Sequence, residues 1–301
     1  MTAEPSGSSS SALDDLLAIL DLEELEENLF RGRSPQEQRQ RVFGGQVAGQ
    51  ALVAACRTVE RGLAHSLHAY FLRPGDPRIP IVYQVDRIRD GRSFTTRRVV
   101  AIQHGQAIFH LSASFQPEEP GLEHQDPMPA APEPESLPTW HERMAKVIDK
   151  VPAEMRSWLE RDRPIDLRYD GEIGIWKAEP RPPRQQVWMR ADGRLPDDPA
   201  LHQVIVAYAS DMTLVDTALL PHGVAWADDA FMVASLDHAM WFHRPFRADE
   251  WLLYDLQSPN AYGARGFTLG RIFTRDGQLA VSVAQEGLMR RKTPKASRSE
   301  P

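Results

Sequence analysis

The chain has 301 residues, 42% hydrophobic and 26% charged, enough for a substantial core in one large domain or two ordinary ones. A formal net charge of −7 argues against general nucleic-acid binding, which needs a positive face, and leaves room for a local basic pocket. The single cysteine, Cys56, excludes an internal disulfide framework and fits a reducing compartment; within ALVAACRTV it reads as a packed residue, not a nucleophile.

Residues 1–10 read as a disordered tail, without the basic-then-apolar order of a signal peptide. Leu13–Leu20 forms a short amphipathic helix, too acidic and short to span a bilayer, and LEENLFRGRS reads as one strand. A glycine pair, Gly44-Gly45, precedes an apolar helix from about Gln46 to Val59. Four strands follow, HSLHAYFLRP, IPIVYQVDRI, SFTTRRVVAIQ and QAIFHLSASFQ, with turns at PGDP, RDGR and QHGQ. Seven prolines between 117 and 138 mark a linker, which carries a helical segment and extends to 163. After it, IDLRYDG and QQVWMRADG are strands, and one long helix runs from Asp198 to Leu220. Asp198 and Pro199 start that helix, and Pro221 and Gly223 stop it. Four more strands, FMVASLDHAMWFHRP, EWLLYDLQS, GFTLGRIFTR and QLAVSVAQEGLMR, have turns at SPNAYGAR and RDGQ. The expected division is a tail (1–10), a first copy (11–116), a linker (117–163), a second copy (164–292) and a C-terminal tail (293–301).

The word "copy" rests on matched points: Arg73-Pro74 with Arg244-Pro245, Phe94 with Phe267, Gly105-Gln106 with Gly277-Gln278, at separations of 171 to 173 residues. A steady separation through three turns indicates a duplication, each copy a long helix laid across an antiparallel sheet. The copies differ where chemistry could reside. Leu279, Val281, Val283 and Gln285 share one strand face, and the matching face holds Ala107, Phe109, Leu111 and Ala113, so Gln285 replaces an alanine towards the helix. On the helices, Asp211 aligns with Gln50. Asp211 has Ala207, Tyr208, Leu214 and Val215 as helical neighbours, where an ionised carboxylate costs several kcal/mol, roughly, unless solvated by other groups. It is a candidate base with Asp216 as a rival that periodicity does not dispose of. Ser235, Asp237, His238 and His243 invite a serine-hydrolase reading, but no G-x-S-x-G elbow is present. His238 and His243 fall on opposite strand faces, and no metal-ligand motif occurs, so no metal or cofactor is expected.

FGGQVAGQAL, HSLHAYFLRPGDP, RDGRSF, YASDM, LDHAMWFHRPF and VAQEGLMR resemble the type II acyl-CoA thioesterases, the TesB-like family, from about Leu20 to Arg290. The resemblance implies an α+β double hotdog, two tandem copies of an antiparallel sheet wrapped around a long central helix. It also implies hydrolysis of medium- to long-chain acyl-CoA to fatty acid and CoA, and a homo-oligomer (dimer or tetramer). The family's Asp, Ser or Thr, and Gln fall on Asp211, Ser235 and Gln285, where they would hold and activate a water without an acyl-enzyme. Its HS-x-HAYF histidine falls on His65, with less weight. The helix start at Gly44 and Gly45 is the expected source of oxyanion donors. Arg92, Arg97, Arg98, Arg265, Arg271 and Arg290-Arg291-Lys292 are candidates for the CoA phosphates. A hotdog hydratase or dehydratase and a non-catalytic acyl-CoA sensor are the alternatives. The remaining expectations are a cytoplasmic location, no nucleic-acid partner and no membrane partner.

Overall fold

The computed structural model describes residues 11–35, 41–151, 153–174, 178–225 and 228–292; the two expected tails, 1–10 and 293–301, lie outside the described residues. Helix α1 (Ala12–Leu20) is capped by Ser11, whose side chain accepts the Asp14 N–H while Asp14 takes the Ser11 N–H in return. Strands β1 (Glu23–Glu26) and β2 (Leu29–Gly32) follow. The sequence reading made these one strand; Asn28, at φ 63°, turns the chain into a hairpin. Next come α2 (Gly44–Cys56), β3 (Leu63–Phe71), β4 (Ile81–Asp90), β5 (Thr95–Gln103) and β6 (Gln106–Gln116). The linker carries α3 (Trp140–Ala145) and α4 (Ala153–Glu160). The second half runs β7 (Ile165–Tyr169), β8 (Arg184–Ala191), α5 (Pro199–Ser210), α6 (Leu214–Leu219), β9 (Phe231–Ser235) and β10 (Asp237–Phe242). It closes with β11 (Leu252–Tyr262), β12 (Arg265–Thr274) and β13 (Leu279–Arg291).

All the strands join one antiparallel sheet in the order β1-β2-β4-β5-β6-β3-β10-β13-β12-β11-β8-β7, with β9 continuing along β13. The two halves meet where β3 pairs with β10 and the fully buried Leu67 stands opposite Met240. Contacts repeat along with the sequence. The Ile108 carbonyl accepts the N–H groups of Leu72 and Arg73, and the Ala280 carbonyl accepts those of His243 and Arg244. Both acceptors sit at a bulge, where β5 and β6, and again β12 and β13, skip one residue of register. The bulge corrects the expected strand face: Val281, Val283 and Gln285 point to the core, while Leu279 packs beside Trp188, Trp251 and Phe273. Met128, Ala131 and Leu137 of the linker lie in that same cluster, and the Trp188 indole N–H donates to the Pro132 carbonyl at 2.8 Å. The proline-rich segment is therefore bound to the second half.

Inside the sheet α2 and α5 pack against each other, and small residues make the approach possible. A Cβ built on Gly45 would lie 2.2 Å from the Tyr208 carbonyl, so no other residue fits there. Gln50, fully buried in α2, has its amide satisfied by the Ile19 and Arg33 carbonyls and the Tyr83 hydroxyl. The stretch 199–222 is long and apolar enough to cross a membrane, yet 67% of its apolar 18-residue window is buried within the protein, as in a core helix.

That stretch is not one helix. α5 ends at Ser210, the turn 211–213 intervenes, and α6 begins at Leu214, so Asp211 caps the end of α5 rather than sitting mid-helix. Of the carbonyls freed where α5 ends, that of Ala207 accepts the Ser210 hydroxyl at 3.1 Å and that of Ser210 the Tyr254 hydroxyl at 3.4 Å, and side chains of the sheet also bond the backbone where α6 starts. Gln185 donates to Thr213 at 3.1 Å and the Thr268 hydroxyl to Leu214 at 3.0 Å. FMVASLDHAMWFHRP also breaks, at Leu236, into β9 and β10, which pair with β13 on either side of Glu286.

Candidate active site

The break in the helix presents Asp211 to a cavity of about 1080 Å³. Its walls come from the start of α2 (Phe43, Gly44), from Phe71 and Phe109 of the first half, and from β9. The linker helices contribute Trp140 and Trp158. Asp211 Oδ1 accepts two side-chain hydrogen bonds, from the Ser235 hydroxyl at 2.9 Å and from the Gln285 amide Nε2 at 2.6 Å. The backbone N–H of Gly45 donates a third bond to the carboxylate. Oδ2 lies against Gly44, 2.6 Å from where a Cβ on that residue would stand. Burial pushes the Asp211 carboxyl up from 3.8 to about 6, against the lowering effect of the three donors. An acid with that balance, at a cavity wall, suits proton transfer near neutral pH.

The structure therefore brings Asp211, Ser235 and Gln285 onto one oxygen, although they come from three elements across 74 residues. Gln285 is 1% exposed on the strand face that meets the helix, as its position requires, but it lies behind the carboxylate and not in the cavity wall, so it reaches a water only through Asp211. Asp216, the rival acid, lines the same cavity, and burial followed by the charge of Asp211 raises it to about 7. Unlike Asp211, it is held by no side-chain hydrogen bond among the described residues.

Several expected residues lie elsewhere. Gly45 spends its N–H on Asp211 and lies outside the cavity wall, so it supplies no oxyanion donor; of the pair, only Gly44 lines the cavity. His65 bonds the Ser114 hydroxyl at 2.8 Å and meets Phe94 edge-on, away from the cavity. Arg265 donates to Glu286 at 2.8 Å on the surface. Arg97 is a buried structural clamp, 1% exposed, which joins Asp90 to the Thr58 end of α2. None of Arg92, Arg98, Arg271, Arg290, Arg291 and Lys292 lines the cavity either. The arginines that do are Arg41, Arg73, Arg161, Arg163 and Arg181. Of these the sequence marked only Arg73, as a point of the repeat and not as a phosphate ligand, because the five come from separate loops and the linker. Cys56 is outside the wall too, and burial pushes its thiol up to about 12.

Behind Gln285 stands a histidine that the sequence offers only for a serine-hydrolase set and a metal pair, both set aside. His238 on β10 is fully buried, with Nδ1 3.0 Å from the Gln285 Nε2 and Nε2 2.9 Å from the Ser210 hydroxyl. Ser210 is fully buried and outside the cavity wall, so it is no nucleophile towards a bound substrate.

The family model described as "Acyl-CoA thioesterase" matches residues 177–288, and that described as "Acyl-CoA thioesterase N-terminal domain" matches 33–116. Human acyl-coenzyme A thioesterase 8 is 42% identical over 99% of this chain and 94% of its own length. The chain belongs to the acyl-CoA thioesterase family. Among solved structures, acyl-CoA thioesterase II TesB2 from Mycobacterium marinum is 47% identical, with a TM-score of 0.74 over 92% of this thioesterase and 99% of its own chain. A hot dog fold protein of unknown function from Alicyclobacillus acidocaldarius, 20% identical with a TM-score of 0.75 over 95% of this chain and 100% of its own, shares the fold. The thioesterase is accordingly an α+β double hotdog, with the acid, hydroxyl and amide all in its second half and part of the cavity wall in its first.

Proposed function

We propose that this thioesterase cleaves medium- to long-chain acyl-CoA by direct attack of a water that Asp211 deprotonates. The observation that carries this reading is the convergence of Ser235, Gln285 and the Gly45 N–H on one carboxylate at the wall of a large, mostly apolar cavity. The three donors hold the carboxylate in place, and the Ser235 oxygen, at the cavity wall, can accept a hydrogen bond from the same water. The water oxygen bonds to the thioester carbon while its proton passes to Asp211. The tetrahedral intermediate then expels the CoA sulfur, which takes that proton back. No histidine lines the cavity among the described residues, which favours hydrolysis over the hydratase chemistry of related folds. The test is release of free thiol from a series of acyl-CoAs. Turnover that peaks at medium to long chains supports the reading, and tight binding without thiol release overturns it.

A carboxylate base works only when ionised, so kcat/KM rises with pH through a midpoint near 6, the raised value of Asp211. A pH–rate profile checks this; a flat profile between pH 5 and 8 rules out Asp211 as the base. Arg41, Arg73, Arg161, Arg163 and Arg181 line the cavity beside the carboxyl groups of Glu172, Glu179, Asp211 and Asp216, and these guanidinium groups, in a protein of net charge −7, suit the CoA phosphates. KM is therefore expected to rise with added salt while kcat stays level, as steady-state kinetics at several ionic strengths will show. We further propose a cytoplasmic homo-oligomer. The single cysteine supports the first part; Tyr70 and Trp241, exposed on the seam strands β3 and β10, support the second, with sedimentation as its test.

A further inference from the structure

The orientation of the Gln285 amide can be read from the charge of the group it meets. An ionised Asp211 can only accept, so Gln285 must turn its NH2 towards Oδ1. The same nitrogen lies 3.0 Å from His238 Nδ1, which must therefore also accept. The ring proton is then on Nε2, where it meets the Ser210 oxygen, and the Ser210 hydroxyl in turn donates to the Ala207 carbonyl at 3.1 Å. Gln285 thus donates both ways, to the carboxylate on one side and on the other through His238 and Ser210 to the backbone of α5. The other end of the amide, Oε1, is buried with no partner among the described residues, so none of them holds Gln285 from that side. Were the ring protonated at Nδ1 instead, the amide would have to turn Oε1 towards it, and would then face Asp211 with an oxygen.

We propose that His238, held in its Nε2–H form by Ser210, is a positioning residue that sets the orientation of Gln285 and through it the geometry of Asp211. This rests on the reading of Asp211 and Gln285 given above, and it adds two residues that never touch substrate. Among the described residues His238 has no other polar side-chain hydrogen bond, and burial lowers its pKa to about 4, which keeps the ring neutral throughout the working range.

The experiment compares His238→Leu, His238→Asn, Gln285→Ala and the double variant His238→Leu/Gln285→Ala in steady-state kinetics. Loss of one directing hydrogen bond corresponds to about a tenfold fall, so His238→Leu should lower kcat by about tenfold with KM unchanged. Asn carries an acceptor oxygen close to the position of Nδ1, so His238→Asn should recover most of that loss. Because His238 acts only through Gln285, the double variant should be no slower than Gln285→Ala. Wild-type kcat in His238→Leu, or losses that multiply in the double variant, would overturn the proposal. Wild-type kcat in Gln285→Ala would instead overturn the underlying reading of the site. Should His238→Leu fail to fold, Ser210→Ala serves: nitrogen NMR of the ring should then show the loss of a single tautomer together with a lower kcat. A single Nε2–H tautomer with unchanged kcat in that variant would sink the idea.

Discussion

Asp211→Asn is expected to lower kcat by a factor of about 10²–10⁴, the range that general-base assistance supplies, with the sheet and helices intact. Asparagine keeps an oxygen that can accept from Ser235 and Gln285, so the constellation survives while its proton acceptor is gone. Stability should move the other way. Burial raises the folded-state carboxyl from 3.8 to about 6, so the folded protein resists ionising a group that the unfolded chain ionises freely. That resistance is absent below pH 3.8, grows as pH rises to about 6, and is complete above it. A shift of this size corresponds to about 3 kcal/mol as an upper bound, so the variant should unfold a few degrees above the wild type at pH 8 and lose that advantage towards pH 4. Thermal unfolding at both pH values, beside turnover, checks the pair of effects. Asp216→Asn is the control: it should keep kcat within a few-fold, and a loss there equal to that of Asp211→Asn would move the base to Asp216.

Gly44→Ala is expected to separate activity from stability in a second way. The added methyl would lie 2.6 Å from Asp211 Oδ2 and 2.9 Å from the Phe71 ring, distances that real atoms do not keep. The carboxylate is the more easily displaced, and a displacement of about 1 Å in a reacting group costs on the order of a hundredfold in rate. Gly44 opens α2 without a positive φ, so alanine introduces no backbone strain, and the local overpacking lowers Tm by only a few degrees. Kinetics and a melting curve on one preparation decide the matter: wild-type turnover would mean that the Asp211 side chain has more freedom than its three donors imply. The adjacent Gly45→Ala carries a different expectation, since its methyl would meet the Tyr208 carbonyl, part of the backbone. There the α2–α5 contact itself must open.

The duplication was legible in the sequence because hydrophobic alternation and turn residues are local properties, and two copies repeat them at a nearly constant separation. The same comparison singled out Asp211 and Gln285: a charge and an amide stood where the other copy has a neutral residue and a methyl. The long helix misled at its centre. Nothing local in YASDMTLVD announces a break, and the side chains that bond the backbone on either side of it, Tyr254, Gln185 and Thr268, are brought near only by the folded sheet. His65 and Arg265 were plausible in a resemblance and in a charge count, and the structure gives them Ser114 and Glu286 as partners instead. The cavity arginines and the His238–Ser210 pair went unseen for a single reason: their meaning depends on distances between elements far apart in the chain. Composition and periodicity determined that there are two copies of a sheet around a helix, and which copy carries the acid. Tertiary packing decided that the helix breaks at that acid, that its donors close on one oxygen, and that burial tunes its proton affinity.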